Sequence, residues 1–414
     1  MKRKLIAATL ALTLLTGCGG HYVPVWSDKP DDPQPSPSQG PREPVAVEKV
    51  TPNGLVLRLL ELECEKAGED NVILSPLSIE MALGMAANGA AGEAEEALET
   101  LLGLKAEQLN TLLGAYLLKE DNTLTMANSM WFNENMEHLI KEDFTAALRE
   151  VYDAGEGSFA PYSQADADAI NAWVKEKTHD KIDSIITPDG LTEDTMALLL
   201  NALYFNGKWT SPFDKRDLTT EWFHAPAGDE MVTYMNRWLG TYFETEWGTG
   251  FAKDYEEGYE FVALLPKSEG GVDLSWLNLD EFLATRTGAY DVSIKIPKFE
   301  LEYATSLRDT LTDLGLGSLF DATSMNAMLT DEALATGRGA HVSDVVHKTY
   351  MKMYEEGTEA AAVTGVIVTA DSAPAPKEMK EVFLDRPFAF LIRDTASGQV
   401  VFCGVINHPL LTEP

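Results

Sequence analysis

The sequence predicts an α+β protein built as one large domain, and three observations carry the prediction. Helical periodicity dominates the first third of the chain and period-two alternation the second half. The strands follow one another without intervening helices, a pattern of antiparallel sheets rather than βαβ units. No Pro/Gly/Ser-rich linker divides residues 45–414, since "SAPAPKE" lies too near the C-terminus to separate two domains.

The elements follow in order. Val50 to Glu65 repeats leucine at helical spacing (Leu55, Leu59, Leu62). Ser75-Pro76 caps and opens a helix from Leu77 to Asn88, whose small residues (Ala82, Ala86) suit deep burial. "GEAEEALETLLGL" is a third helix, ended by Gly103. "TLTMANSMWFNEN" alternates like a strand, "EDFTAALREVY" returns to helical period, and "ADAINAWVKEKTHDKIDSII" reads as one long helix with a solvated charged face. "MALLLNALYFNGKW" reads as a strand buried on both faces. Strands dominate from Glu221 to Pro266 and again in "DVSIKIPKFELEY"; "LRDTLTDLGL" is helical. The tail alternates in "VVHKTYMKMYEEG" and closes with a hairpin turning near Ser397-Gly398. Between these last two runs lies "EEGTEAAAVTGVIVTADSAPAPKEMKEVF", Glu355 to Phe383. A connection that long, and that rich in β-forming residues, is expected to be functional.

The N-terminus is a targeting segment. Lys2, Arg3 and Lys4 precede an apolar run from Leu5 to Leu15, too short to span a bilayer as a helix. Leu15-Thr16-Gly17-Cys18 resembles the bacterial lipobox, which implies a signal peptide over residues 1–17 and acylation of Cys18. Residues 18–44, rich in Pro, Ser and Asp, read as an extended tether. The expected location is therefore a bacterial membrane, periplasmic or cell-surface, with the domain lipid-anchored.

The net charge is −34, and loss of residues 1–17 with their three cations makes it −37. Such a surface disfavours nucleic acid and anionic lipid as partners. Of three cysteines, Cys64 and Cys403 remain beside Cys18. The exported location permits a disulfide between them, while their apolar surroundings favour buried free thiols.

No GxSxG elbow, HExxH, P-loop, Rossmann glycine pattern or CxxC is present. "QADADAI" lacks the glycine and glutamate of an EF-hand loop and reads as a helix start. The seven histidines are scattered without ligand spacing. Nothing points to a catalytic triad, a metal or a cofactor, and the chain does not read as an enzyme.

Five blocks, in order, resemble the serpins: "NVILSPLSIEMALGMAANGAAGEAEEAL", "LLLNALYFNGKW", "IKIPKF", "VVHKTYMKMYEEGTEAAAVTG" and "RPFAFLIRDTASGQVVFCGVINHP". The resemblance covers nearly all of residues 45–414. It implies three mostly antiparallel sheets, eight or nine helices, an exposed reactive-centre loop and a monomer. It further implies a suicide-substrate inhibitor of serine proteases, with cysteine proteases as a further class. The target cleaves the loop, whose freed N-terminal part inserts as a new strand and traps the acyl-enzyme.

The residues permit an independent check of that mechanism. Every second residue from Thr358 (Ala360, Ala362, Thr364, Val366, Val368, Ala370) is small or β-branched and uncharged. The other set (Glu359, Ala361, Val363, Gly365, Ile367, Thr369) holds the one charge. This is the pattern of a strand that puts one face on a core.

The resemblance assigns site residues by position. Glu355, Gly357, Thr358, Glu359, Ala360, Ala361 and Ala362 match the hinge. Ser75, Ser78, Asn201 and His347 match the polar shutter beneath the middle of the sheet. Trp209, Lys298 and Glu355 match the breach where the loop enters, with Lys298 and Glu355 expected as an exposed ion pair. The reactive bond falls at Asp371–Ser372 counting from the hinge, which suits an Asp-directed protease, and near Pro376 counting back from Pro387. Val368, Thr369 or Ala370 would suit an elastase-like enzyme, and Lys377 a trypsin-like one. The alternative function is a non-inhibitory surface lipoprotein of the same fold, acting as a binding module.

Overall fold

A computed structural model describes residues 52–117, 123–268, 271–275, 277–358 and 377–410. Nine α-helices and seventeen strands occur among them. Helix α1 (Pro52–Ala67) lays Leu55, Leu59 and Leu62 into the core and leads through β1 (Val72–Leu74) to α2 (Pro76–Ala87). The Ser75 hydroxyl caps α2 by accepting from the Ser78 amide, and Pro76 opens it. Helix α3 (Glu93–Leu102) stops at Gly103, whose φ of 69° is the left-handed turn that glycine tolerates. Then come α4 (Ala106–Leu117), β2 (Leu124–Asn133), α5 (Glu142–Tyr152), β3 (Gly155–Phe159) and α6 (Gln164–Lys177). Helix α6 is shorter than the expected long helix. Its path breaks where His179 and Asp180 take φ of 50° and 63°, and Ile182, Ile185 and Ile186 turn inward instead of continuing a solvated face.

Strand β4 (Ala197–Phe205) runs past Asn206 into β5 (Gly207–Lys208). Five strands follow in two sheets: the pair β6 (Leu218–Ala225) and β7 (Gly228–Leu239), then β8 (Tyr242–Glu244), β9 (Gly248–Asp254) and β10 (Tyr259–Pro266). After α7 (Leu279–Ala284), the alternating run read as one strand breaks at Lys298 into β11 (Tyr290–Pro297) and β12 (Phe299–Ser306), in different sheets. Helices α8 (Arg308–Leu311) and α9 (Asp331–Ala335) lead to β13 (Val346–Tyr354) and β14 (Gly357–Thr358). The C-terminal part holds β15 (Glu378–Phe383), β16 (Phe388–Asp394) and β17 (Val400–Ile406), with Gly398 at φ 79° in the last hairpin. Thus Glu378 onward, read from sequence as part of the long connection, belongs to a strand that pairs parallel with β11.

The strands form four sheets among the described residues, ordered β1-β17-β16-β10-β9-β8, β15-β11-β7-β6, β12-β13-β14-β5 and β3-β2-β4. Two pairs, β2/β3 and β11/β15, are parallel and the rest antiparallel. Three sheets were expected. The fourth arises because one large sheet is parted: β4 and β5 are a single run, yet β4 pairs only with β2, while β5 pairs only with β14. With no second neighbour among the described residues, β4 is only partly buried along most of its length rather than buried on both faces. Cys64 and Cys403 are free thiols; burial pushes Cys64 up to about 12 and Cys403 higher still.

Candidate functional site

The chain leaves β13 at Tyr354, turns through Glu355 and Glu356, and comes back as β14. Thr358 then lies opposite Met353 on one side and Gly207 on the other. Gly357 lies opposite Tyr354 and Lys208. These two hinge residues are therefore already a strand inside the sheet, antiparallel to both neighbours. Glycine is required at 357: a Cβ there would stand 2.0 Å from the Gly207 carbonyl oxygen and 2.9 Å from the Lys208 Cα.

Three backbone and side-chain bonds hold this turn. The Trp209 amide donates to Glu356 O at 2.9 Å, the Phe213 amide to Glu355 O at 2.9 Å, and the Trp209 indole N–H to Tyr354 O at 3.1 Å. Lys298 Nζ reaches Glu355 Oε2 at 3.0 Å. Both partners of that pair are largely shielded rather than exposed as expected, because the turn folds over them. Trp209 stacks on Tyr255 with ring centroids 4.0 Å apart, and the Tyr255 hydroxyl meets the Thr358 hydroxyl at 2.6 Å. Thr358 is buried, so the uncharged set that it begins is the inward one at this point. The site also contains groups that sequence reasoning missed. Lys253 sits 4.9 Å from the Trp209 ring and 4.8 Å from the Phe213 ring, donating to Ser211 O at 2.6 Å. Burial and the nearby Arg237 bring its ammonium down to about 7. A lysine amid the apolar run "GFAKDY" was the available signal.

Below the hinge the sheet is open. A cavity of about 140 Å³ separates β4 from the run into β13, with Asn201 on one wall, His347 on the other, and Ser78, Ile79 and Ala82 of α2 on the floor. The four expected shutter residues divide across it. The Ser75 amide donates to His347 Nε2 at 3.1 Å, and the Ser75 hydroxyl donates to Val401 O at 2.8 Å while accepting from the Ser78 amide. Burial drives His347 down to about 4, keeping the ring neutral and able to accept that bond. Asn201 instead donates to Asn128 Oδ1 at 2.9 Å; Asn128 in turn donates to Tyr152 O. The Asn201 Oδ1 atom is buried without a partner. Asn128, the other missed residue, was visible only as an amide in the middle of a strand that also carries Thr125, Ser129 and Asn133.

Lys377, the first described residue after the loop, donates to Gly288 O at 2.8 Å. The remaining hinge positions (Glu359, Ala360, Ala361, Ala362), the bond at Asp371–Ser372, its alternatives Val368, Thr369 and Ala370, and Cys18 lie outside the described residues.

Comparison with known proteins decides the family. The family model "Serpin (serine protease inhibitor)" matches residues 51–409. The chain is a serpin. Its relatives include an uncharacterized serpin-like protein of Thermococcus kodakarensis, 32% identical over 99% of each chain. Serine protease inhibitor 42Dd of Drosophila melanogaster is 31% identical, over 82% of this chain and 91% of the relative. The thermophilic serpin tengpin in its native state superposes with a TM-score of 0.74 at 30% identity, over 88% of this serpin and 97% of tengpin. Protease inhibition is the family's general activity, and the family's sheet architecture is the one described above.

Proposed function

We propose that this serpin is a suicide-substrate inhibitor of serine proteases that traps the acyl-enzyme by taking its cleaved loop into the gap between β4 and β13. The observation that carries the reading is that Gly357 and Thr358 already occupy the first two positions of that gap, above an open slot. Continuing both registers by six residues puts Thr364 opposite Asn201 on one side and His347 on the other. Val368 then comes opposite Ala197, the end of β4. The slot thus takes residues 357–368, and the incoming strand supplies the polar neighbour that Asn201 Oδ1 lacks. Roughly a dozen new backbone hydrogen bonds at about 1 kcal/mol net each give on the order of 10 kcal/mol to drive insertion. The inhibitor needs no catalytic group of its own, because the protease performs the cleavage.

A slot that ends at Val368 favours a reactive bond beyond it, which supports Asp371–Ser372, for an Asp-directed protease, first. Ala370, for an elastase-like target, ranks close behind. Lys377 stands nine residues past the slot and is tied to Gly288. Acylated Cys18 and the 18–44 tether hold the inhibitor, a monomer in this reading, at a bacterial membrane.

The test is to mix the full chain, in mild detergent, with pancreatic elastase, trypsin and an Asp-specific protease. A covalent complex that survives a denaturing gel supports the reading, and the mass of the released C-terminal peptide identifies the bond. Clean cleavage with every protease left active sinks it, in favour of a loop that serves a binding module.

A further inference from the structure

The sheet β15-β11-β7-β6 has an inner and an outer face. Val292, Ile294 and Ile296 of β11 and Val382 of β15 point inward and are fully buried. On the outer face, Trp238, Ser293 and Glu381 form one cross-strand row, and Asp291 and Met379 belong to the next. Trp238 is 57% exposed and Met379 70%, on the two strands that flank β11. A tryptophan and a methionine this open on one face, two strands apart in neighbouring rows, mark an interaction surface more than a packing remnant.

Two features say what covers them. The first is chain continuity, and it rests on reading residues 359–376 as protease bait. β15 takes up the chain where that segment ends, so Met379 is only two residues past Lys377. A scissile bond at Asp371–Ser372 stands six residues before Lys377, no more than about 20 Å away even when fully extended. A protease domain of about 220 residues has a radius of gyration of about 17 Å. Its body therefore overhangs the near end of this sheet whenever the bond is in its active site. The second feature is charge. Asp291 and Glu381 stand between Trp238 and Met379 with no ion-pair partner among the described residues, whereas Lys295 on the same face is paired with Glu221.

We propose that Trp238 and Met379 form a docking surface for the body of the target protease, and that the complementary surface is apolar and rimmed by Lys or Arg. This surface adds selectivity that the loop sequence alone does not encode, because it acts on the encounter rather than on the bond.

The experiment measures the second-order rate of loop cleavage, with or without complex formation, for the full chain and for Trp238→Ala, Met379→Ala and Trp222→Ala. Trp222 is 56% exposed but on the opposite face of the sheet, near the β6–β7 turn, and serves as the control. With the fastest-cleaving protease of the panel, Trp238→Ala and Met379→Ala each slow the rate about tenfold, and Trp222→Ala stays within about twofold. A synthetic peptide of residues 359–376 is cut at a rate that none of these positions influences. Raising the salt slows the parent protein more than an Asp291→Asn, Glu381→Gln variant. Equal rates for the parent and Trp238→Ala with every protease that cuts the loop overturn the docking surface, whether or not complexes form. Complexes with unequal rates support both readings, and cleavage without complexes but with unequal rates supports the docking surface alone. Absence of any cut within residues 359–376 overturns both.

Discussion

The hydroxyl of Thr358 lies 2.6 Å from that of Tyr255, which is stacked on Trp209, so the first inward side chain of the loop is already seated in the sheet. That seat is small, buried and bounded by Met353. Thr358→Arg would place an unpaired charge there, at a cost of several kcal/mol. The variant should be cut at an unchanged rate but yield no gel-stable complex. Thr358→Val keeps the shape and loses only the hydroxyl contact, so it should still form complexes, with intact-protein stability lowered by about 1 kcal/mol.

Gly357 carries the second prediction. An alanine methyl at this position collides with Gly207 and Lys208. Gly357→Ala should expel the hinge from between β5 and β13, and amide exchange at Thr358 should speed up by at least tenfold. Unchanged protection at Thr358 would mean that the pairing does not depend on that close approach.

His347 sets a pH dependence. Its folded value, about 4, lies below the usual 6.5, so the unfolded chain holds more protons between those two values. Stability is complete above about pH 6.5 and falls by about 3 kcal/mol as the pH drops through 4. Glu63, whose carboxylate favours the protonated ring, works against this shift. Glu80 runs the other way: burial lifts it to about 7, so its contribution is present below its ordinary range and is lost as the pH rises through 7. The informative measurement is therefore the difference between the parent and His347→Gln in denaturant unfolding from pH 4 to 7. The parent should lose stability relative to the variant as the solution is acidified; parallel curves would contradict the assignment.

Cys18→Ser should release the protein from the membrane fraction of expressing cells without changing its rate of reaction with proteases. Retention of the variant in that fraction would refute the lipid anchor.

Much of this was legible in the sequence. The Ser75-Pro76 helix start, the Gly103 stop and the final hairpin follow from local chemistry; of the alternating set only Thr358 is among the described residues, and it is buried. What was not legible depends on a neighbour's absence. The run Ala197–Phe205 looks doubly buried because its residues suit a central strand, yet among the described residues β4 pairs only with β2 and a cavity lines its other side. The four residues matched to the polar shutter are likewise split, Ser75 bonding His347 and Asn201 bonding Asn128. Lys253 and Tyr255 were missed because their roles depend on the packing of Trp209, which no local pattern encodes.

The most direct test of loop insertion is thermal unfolding of the full chain before and after a single cut in residues 359–376. Filling the rest of the slot, from 359 to 368, should raise the melting temperature by on the order of 10 °C, from roughly a dozen new backbone hydrogen bonds. A cleaved protein that melts at or below the temperature of the intact one would contradict insertion.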